Sequence, residues 1–230
     1  MNLSGNNGEL LNEYAVNVAE GIRALAATIA VATVKYDLHT WFHHEDCRKY
    51  MLPLCVYYKL SARETEALVL AAEVHDIGKF AILDVLLANR DKTLASDAPE
   101  MQAIRKHPHY GHVMLSAFIS KMGMAIAPAC DAAIILSAVL WHHERWNGTG
   151  YPSGLSRYSI PFGARMMAVV DAVSAMAMPE RHWKSPLTLD EIVNELKNGA
   201  GEQFDPEIAE IMANILVSGR VHGVQDMAKT

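Results

Sequence analysis

Apolar residues recur at helical spacing from Glu9 to about Lys35, at Leu11, Tyr14, Val18, Ile22, Leu25 and Ile29, which predicts a long amphipathic helix. A second helical stretch runs from about His39 to Leu60, with Pro53 expected to kink or break it because proline removes one backbone donor. Ser61 and Glu64 form a capping box that opens a third helix carrying Leu68, Leu70 and Val74. That helix is expected to end at His75-Asp76-Ile77-Gly78-Lys79, with Gly78 as its stop. Residues 80–95 read as a connector with a short helical turn. Pro99 suits a helix start, and the chain must bend at His107-Pro108. A further apolar stretch, Val113 to Ile119, ends near Gly123. Pro128 then opens a strongly apolar helix through Ile134, Ile135 and Val139 to Trp141-His142-His143. Pro161 introduces a helix over Phe162 to Met178, Thr188 with Glu191 caps a shorter one, and Asp205-Pro206 starts the last, to about Val217. No stretch alternates with period two and no repeat is present, so the fold class is all-α. The expected organisation is an N-terminal helical extension over 1–35, one main helical domain over 36–217 and a tail over 218–230.

Composition narrows the partners. Hydrophobic residues make up 51% and charged residues 20%, an ordinary globular balance. A net charge of -6 leaves no basic footprint, which argues against duplex nucleic acid or an anionic membrane as partner. Cys47, Cys55 and Cys130 contain no CxxC pair, so neither a disulfide framework nor a thiolate zinc site is indicated, and a reducing cytoplasm is the expected compartment. Met1 to Glu9 is polar and carries no leader pattern, and the apolar run Ala24 to Val34 is too short to span a bilayer. No receiver, PAS or transmembrane segment is read, so regulation is expected through the N-terminal helix, a partner or metal redox state. Eleven histidines against three cysteines need an account.

The histidines supply one. Trp141 to Pro152 places two adjacent imidazoles where an apolar helix ends and a loop with Gly148, Gly150 and Pro152 begins. His43 follows Trp41-Phe42, His75 and Asp76 end an apolar helix, and Asp171 follows Met167-Ala168-Val169-Val170. A carboxylate in such company is costly unless it is paired, hydrogen-bonded or metal-bound. Singly, each residue has an ordinary reading as a helix cap or a hydrogen-bonded structural group. Together, at element ends and apolar faces, they suggest a shared site.

His75-Asp76-Ile77-Gly78-Lys79, His107-Pro108 with Gly111, and His142-His143-Glu144 running into Gly148-Thr149-Gly150-Tyr151-Pro152 resemble the HD-GYP family of HD-superfamily phosphohydrolases. The resemblance extends from about residue 20 to 217 and includes Ile160-Pro161, Ala164-Arg165, Asp171 and Gln203-Phe204-Asp205-Pro206. It implies an HD-domain helical bundle and a metal-dependent phosphodiesterase that opens cyclic di-GMP to linear pGpG, and onward to GMP, by attack of a metal-bridging hydroxide on phosphorus. By the same resemblance His43, His75, Asp76 and Asp171 hold one metal, and Asp76 bridges to a second held by His107, His142 and His143. Nitrogen and oxygen donors without thiolates suit Fe or Mn, and also Zn. Asp76 and Lys79 are the catalytic candidates, Lys79 stabilising phosphoryl charge or protonating the leaving oxygen.

Several positions depart from the family or stay open. His39 precedes His43 by four residues, on one helical face, where members holding three metals carry glutamate and many two-metal members an aromatic. It is either a third-metal ligand, a hydrogen-bond donor to a ligand, or a surface residue. Arg181 and Lys184 resemble the family's basic pair beyond the metal-binding aspartate, with one extra residue intervening. Arg145 and Arg165 either meet phosphate or brace the Gly-rich loop. Ser174 stands where the family often has Asp or Lys, and Leu87-Ala88-Asn89-Arg90 lacks its usual Asn-Lys-Pro. His44, His109, His112, His182 and His222 match no ligand position and read as ordinary. Trp41, Trp146 and Trp183 are either guanine-stacking or core residues. The alternatives to cyclic di-GMP hydrolysis are a phosphohydrolase on another cyclic dinucleotide or a nucleotide, and a weakly active sensor or adaptor. Gly148, Gly150, Tyr151 and Pro152 would then dock a GGDEF-type partner, and the N-terminal helix would serve a homodimer.

Overall fold

The computed structural model describes residues 20–25, 27, 28, 38–89, 94–121, 131–178 and 185–219, with the backbone alone for 38–42. Residues 20–25, 27 and 28 are helical. The helices that follow are α1 (Leu38–Tyr57), α2 (Ala62–Val74), a 3₁₀ turn (Ile77–Ile82), α3 (Leu83–Ala88), α4 (Pro99–Ile104), α5 (His107–Lys121) and α6 (Ala132–Trp141). A second 3₁₀ turn (Arg157–Ser159) precedes α7 (Phe162–Ala177), α8 (Leu189–Gly199) and α9 (Pro206–Val217). There is no strand among the described residues, so the class is all-α as expected, and no described helix is long and apolar enough to cross a membrane.

Helix α2 is the axis of the bundle. Ser61 caps it: its hydroxyl accepts from the Glu64 backbone N–H while the Glu64 carboxylate accepts from the Ser61 N–H at 2.9 Å. Leu68, Val69 and Ala72 join one core cluster with Met51 and Leu54 of α1, Met166 and Val170 of α7, and Leu196 and Met212 of α8 and α9. On its other side Ala67, Leu70, Ala71 and Val74 join a second cluster with Leu115 of α5 and Ile135 and Val139 of α6. Ile22 is fully buried in that second cluster, so this face of the N-terminal segment is a core face. Arg23 reaches Glu66 at 2.8 Å and Glu73 at 2.9 Å on α2. From Ala67 onward α2 is buried nearly all round, so its C-terminal end lies in the interior, where His75 and Asp76 follow.

Three local expectations change. Pro53 does not break α1, which runs through it to Tyr57 with Met51, Leu54 and Cys55 buried around it. Tertiary packing outweighs the one lost backbone bond. The helix ends at Lys59, which takes a left-handed conformation (φ 52°) while Leu60 N–H bonds to Cys55 O. Gly78 does not act as a left-handed stop: a Cβ there would lie 2.0 Å from the His107 carbonyl oxygen and 2.4 Å from the Gly111 nitrogen. It is the gap through which α5 approaches the 3₁₀ turn. The connector over 80–95 is also more helical than expected, through that turn and α3. Residues 9–19, 29–37, Gly123, Pro128, and the tail beyond 219 lie outside the described residues.

Candidate metal centre

Three helix ends and two helix faces meet at the end of α2. His75 and Asp76 follow its last turn, His107 opens α5, His142 and His143 follow α6, and His43 and Asp171 project from α1 and α7. His75 and His142 are almost wholly buried, as are His107 and Asp76. The side chains of Asp171 (19% exposed) and Lys79 (27%) mark the open side of the pit.

The histidines are set in one protonation pattern by their outer nitrogens. His75 Nδ1 lies 3.0 Å from Ala72 O, His107 Nδ1 2.8 Å from Ile104 O, and His142 Nδ1 2.8 Å from Val139 O, each three residues back. A carbonyl oxygen only accepts, so Nδ1 carries a hydrogen in all three, which leaves each Nε2 as the nitrogen that can offer a lone pair to a cation. His43 Nδ1 is held instead by Ser174, buried on α7. Its Nδ1 donates to Ser174 Oγ at 2.9 Å, and that hydroxyl donates to His43 O at 3.3 Å. One turn earlier on α7, Asp171 Oδ1 sits 2.9 Å from His43 Nε2.

The inner atoms lie close to one another. His107 Nε2 is 3.0 Å from Asp76 Oδ1 and 3.4 Å from His142 Nε2, and His75 Nε2 is 3.4 Å from Asp76 Oδ2 and 3.8 Å from Asp171 Oδ1. Yet His75 Nε2 and Asp76 Oδ1 have no hydrogen-bond partner of acceptable geometry. Lone pairs facing lone pairs at these separations repel unless a cation lies between them, and donors about 2.1 Å from a metal are themselves ~3–4 Å apart. The residues therefore fit divalent metal ions. Donor atoms within 4.8 Å of one another fall into a group on each side: His43, His75 and Asp171 with Cys47, and Asp76, His107, His142 and His143. The two Asp76 oxygens point toward the two groups. Cys47 Sγ is 3.7 Å and 3.9 Å from the two ring nitrogens of His43, alongside the ring rather than on the Nε2 lone pair, and burial pushes its thiol well up. It packs, and the donor set stays nitrogen and oxygen.

Electrostatics agree with a site that awaits positive charge. Burial opposes the Asp76 carboxylate, but Lys79 and His75 outweigh it and hold Asp76 well below the carboxylate range. Lys79 Nζ is paired directly with Asp76 Oδ2. Asp171 is held down in the same way, burial being outweighed by the His43 hydrogen bond and charge. His75 is raised: burial lowers it, and Asp76 and Asp171 more than reverse that. Burial and neighbouring imidazoles depress His142 well below 6.5, and burial takes His143 to about 3.

The loop after His143 is held from beneath. Glu144, almost wholly buried, accepts from the backbone N–H of Ser153 at 2.6 Å and of Leu155 at 3.0 Å. Gly150 passes so close that a Cβ would meet the Arg145 nitrogen at 2.3 Å. Tyr151 is thereby stacked on His143 with ring centroids 4.8 Å apart, and the Arg105 guanidinium lies 5.6 Å from the Tyr151 centroid. Gly148 and Pro152 flank this contact, and Pro152 is exposed. Arg145 donates to Gln203 at 3.0 Å, the bracing geometry, and Arg165 pairs with Asp205 while donating to Ile160 O. Trp146 meets Tyr158 edge-on.

The structure thus brings together His43, His75, Asp76, Lys79, His107, His142, His143 and Asp171. The His39 side chain and Arg181, Lys184 and Trp183 lie outside the described residues. Sequence reasoning missed Glu144 as the loop's anchor, Ser174 as the partner of His43, and His44, whose ring stands 5.2 Å from that of His75. For Glu144 the signal was a carboxylate directly before a Gly-rich turn. For the other two the contact is tertiary and leaves no local trace.

Fold and site define a class: helical domains whose buried histidine–aspartate centre is built to take divalent metal ions. The chain belongs to the HD domain family, whose model matches residues 19–208, and it carries the HD-GYP motifs on this centre. It is 30% identical over 197 residues to a 3'3'-cGAMP-specific phosphodiesterase of Vibrio cholerae, covering 86% of this chain and 35% of that protein. It is 30% identical to a cyclic di-GMP phosphodiesterase of Pseudomonas aeruginosa (87% of this chain, 44% of that one) and 34% identical to one of Thermotoga maritima (61% and 34%). The chain therefore spans between a third and a half of the length of these relatives. Among solved structures, a cyclic GMP-AMP specific phosphodiesterase of V. cholerae superposes with a TM-score of 0.55 at 13% identity, over 81% of this chain and 48% of that one, a likeness of fold.

Proposed function

We propose that this chain is a metal-dependent phosphodiesterase that opens cyclic di-GMP to linear pGpG, with GMP as a further product. The observation that carries the reading is the set of inward-facing imidazole lone pairs around a buried carboxylate whose two oxygens face two donor groups. The relatives' names supply the substrate class. In this reading His43, His75, Asp76 and Asp171 hold one cation and His107, His142 and His143, with Asp76, a second. The all-N/O donor set suits Fe or Mn, with Zn also accommodated. Such ions supply an acidified water and neutralise charge on phosphoryl oxygens.

The chain's own residues do the rest. Lys79, on the open side of the pit, offers its ammonium to a phosphoryl oxygen or to the leaving oxygen once Asp76 is engaged by metal. His143 and Tyr151 form a stacked wall that orients what enters. Arg181 and Lys184 follow Asp171 in sequence and take the remaining phosphate charge, and residues 36–217 form the working unit. The Gly148–Pro152 loop is a rigid shoulder on which a GGDEF-type partner docks.

A second substrate is favoured by a specific observation: the cGAMP-specific relative aligns over 86% of this chain. Product analysis after anaerobic loading with Fe(II) or Mn(II), with cyclic di-GMP and 3'3'-cGAMP offered separately, decides between them. The proposal predicts a higher kcat/KM for cyclic di-GMP and no product from Asp76→Ala. Preference for cGAMP would replace the substrate, and tight binding with no product from either would make the chain a sensor.

A further inference from the structure

At this centre the buried polar atoms without a hydrogen-bond partner are three: His75 Nε2, Asp76 Oδ1 and His44 Nε2. The first two belong to residues already placed around the metals. The third belongs to a histidine that matches no ligand position of the family motifs. Yet His44, His75 and Asp76 bring one donor atom each to within 4.8 Å of the others, a group of their own.

His43 and His44 are neighbours on α1, so their side chains leave the helix about 100° apart. Both still reach the end of α2, because α1 packs along it. The His43 ring meets His75 at 5.2 Å and 70°, and the His44 ring meets it at 5.2 Å and 68°, with 6.0 Å between the two themselves. His75 is thus flanked edge-on by two imidazoles rather than one.

What would satisfy these atoms is constrained. His75 Nδ1–H is committed to Ala72 O, so Nε2 is the nitrogen left to bind a cation, and Asp76 Oδ1 is an acceptor. His44 Nε2 likewise has no hydrogen-bond partner, and as an unprotonated nitrogen it offers a lone pair. A water has two hydrogens and can satisfy two of three acceptors. A cation beside His75 Nε2 would take a donor atom from His44 and one from Asp76 as well, since the three residues each offer one within 4.8 Å of the others.

We propose that His44 is an additional imidazole ligand to the cation held by His75 and Asp76, giving this chain a nitrogen donor beyond the ligand set its family motifs provide. The inference rests on the reading of the centre as a metal site. It makes the position nearest α1 richer in nitrogen and selects there for an ion that favours imidazole, Fe(II) or Zn(II), over Mn(II).

The test uses the full chain stripped of metal and titrated with Co(II), comparing wild type with His44→Ala and His44→Gln. The proposal predicts two bound ions in wild type. In both variants it predicts weakening of one of them by at least about tenfold, the loss that even an indirect partner of a ligand causes. It also predicts a changed Co(II) d–d spectrum, restored in His44→Ala by added imidazole. Unchanged affinities and spectra in folded variants, or a spectrum that imidazole does not restore, would overturn the role of His44 while leaving the metal site standing. Should wild type itself bind no Co(II), the metal reading falls and this proposal with it.

Discussion

Side chains at this centre are ordered by what lies behind them. Three histidines use a carbonyl three residues back, but His43 depends on the Ser174 hydroxyl of α7. Removing that hydroxyl leaves His43 Nδ1 without its acceptor and frees the ring to turn. Ser174→Ala is expected to weaken one of the two metals by roughly 10–100-fold, with Ser174→Thr retaining most of the affinity, as measured by competition with a chelator. Equal affinity in Ser174→Ala would remove Ser174 from the site. The histidines also set a pH dependence in the metal-free protein. His142 and His143 are held below 6.5, so as pH falls beneath that value the unfolded chain takes up protons that the folded chain refuses, and stability falls. His75 is raised and works the other way, contributing stability below 6.5 that is lost as pH rises through its folded value. His44 is also held well below 6.5 by burial, so three groups oppose one. The apo protein should therefore melt at a lower temperature at pH 5 than at pH 7.5 in a calorimetric scan, and a higher melting temperature at pH 5 would contradict this balance.

Elements carry their own test in Gly78. The space for a Cβ is filled by backbone of α5, which cannot yield as a flexible side chain would. Gly78→Ala must push α5 and His107 away from Asp76. A loss of about 1–3 kcal/mol in denaturant unfolding is expected, together with loss of one metal per chain. A variant of full stability and full metal content would show that the approach of α5 does not depend on Gly78. This element also shows what was legible in the sequence. Capping boxes at Ser61–Glu64 and Thr188–Glu191, and the Asp205-Pro206 start, are local chemistry and appear in the structure where the sequence predicts them. The ligand-type residues were legible because motif spacing marks them. Gly78 was legible as a glycine but not for its reason, since the clash partner is 29 residues away in sequence, at His107. The continuation of α1 through Pro53 was hidden for a similar cause: the burial that holds it comes from α2 and α7. His44 was passed over because it matches no ligand position of the family motifs, and only the packing of α1 on α2 brings its ring to that of His75.

At the scale of the molecule, the bundle and the centre depend on each other. Two core clusters meet along α2, and the centre sits at its end, drawing ligands from α1, α5, α6 and α7. Metal bound there links helices of both clusters, so it binds the folded state and not the unfolded one. Removing it by a chelator should lower the melting temperature, with recovery when metal is restored. The Gly148–Pro152 shoulder, anchored by Glu144, belongs to the same unit, so Glu144→Gln is expected to loosen the loop with little change in metal content. Two adjacent cations sharing Asp76 are the central claim, and anomalous diffraction from Fe(II)-loaded crystals grown without oxygen tests it most directly. The predicted result is two peaks about 3.5–4 Å apart, with Asp76 between them, His43 and Asp171 on one side and His107, His142 and His143 on the other. A single peak, or ions held away from Asp76, would contradict it.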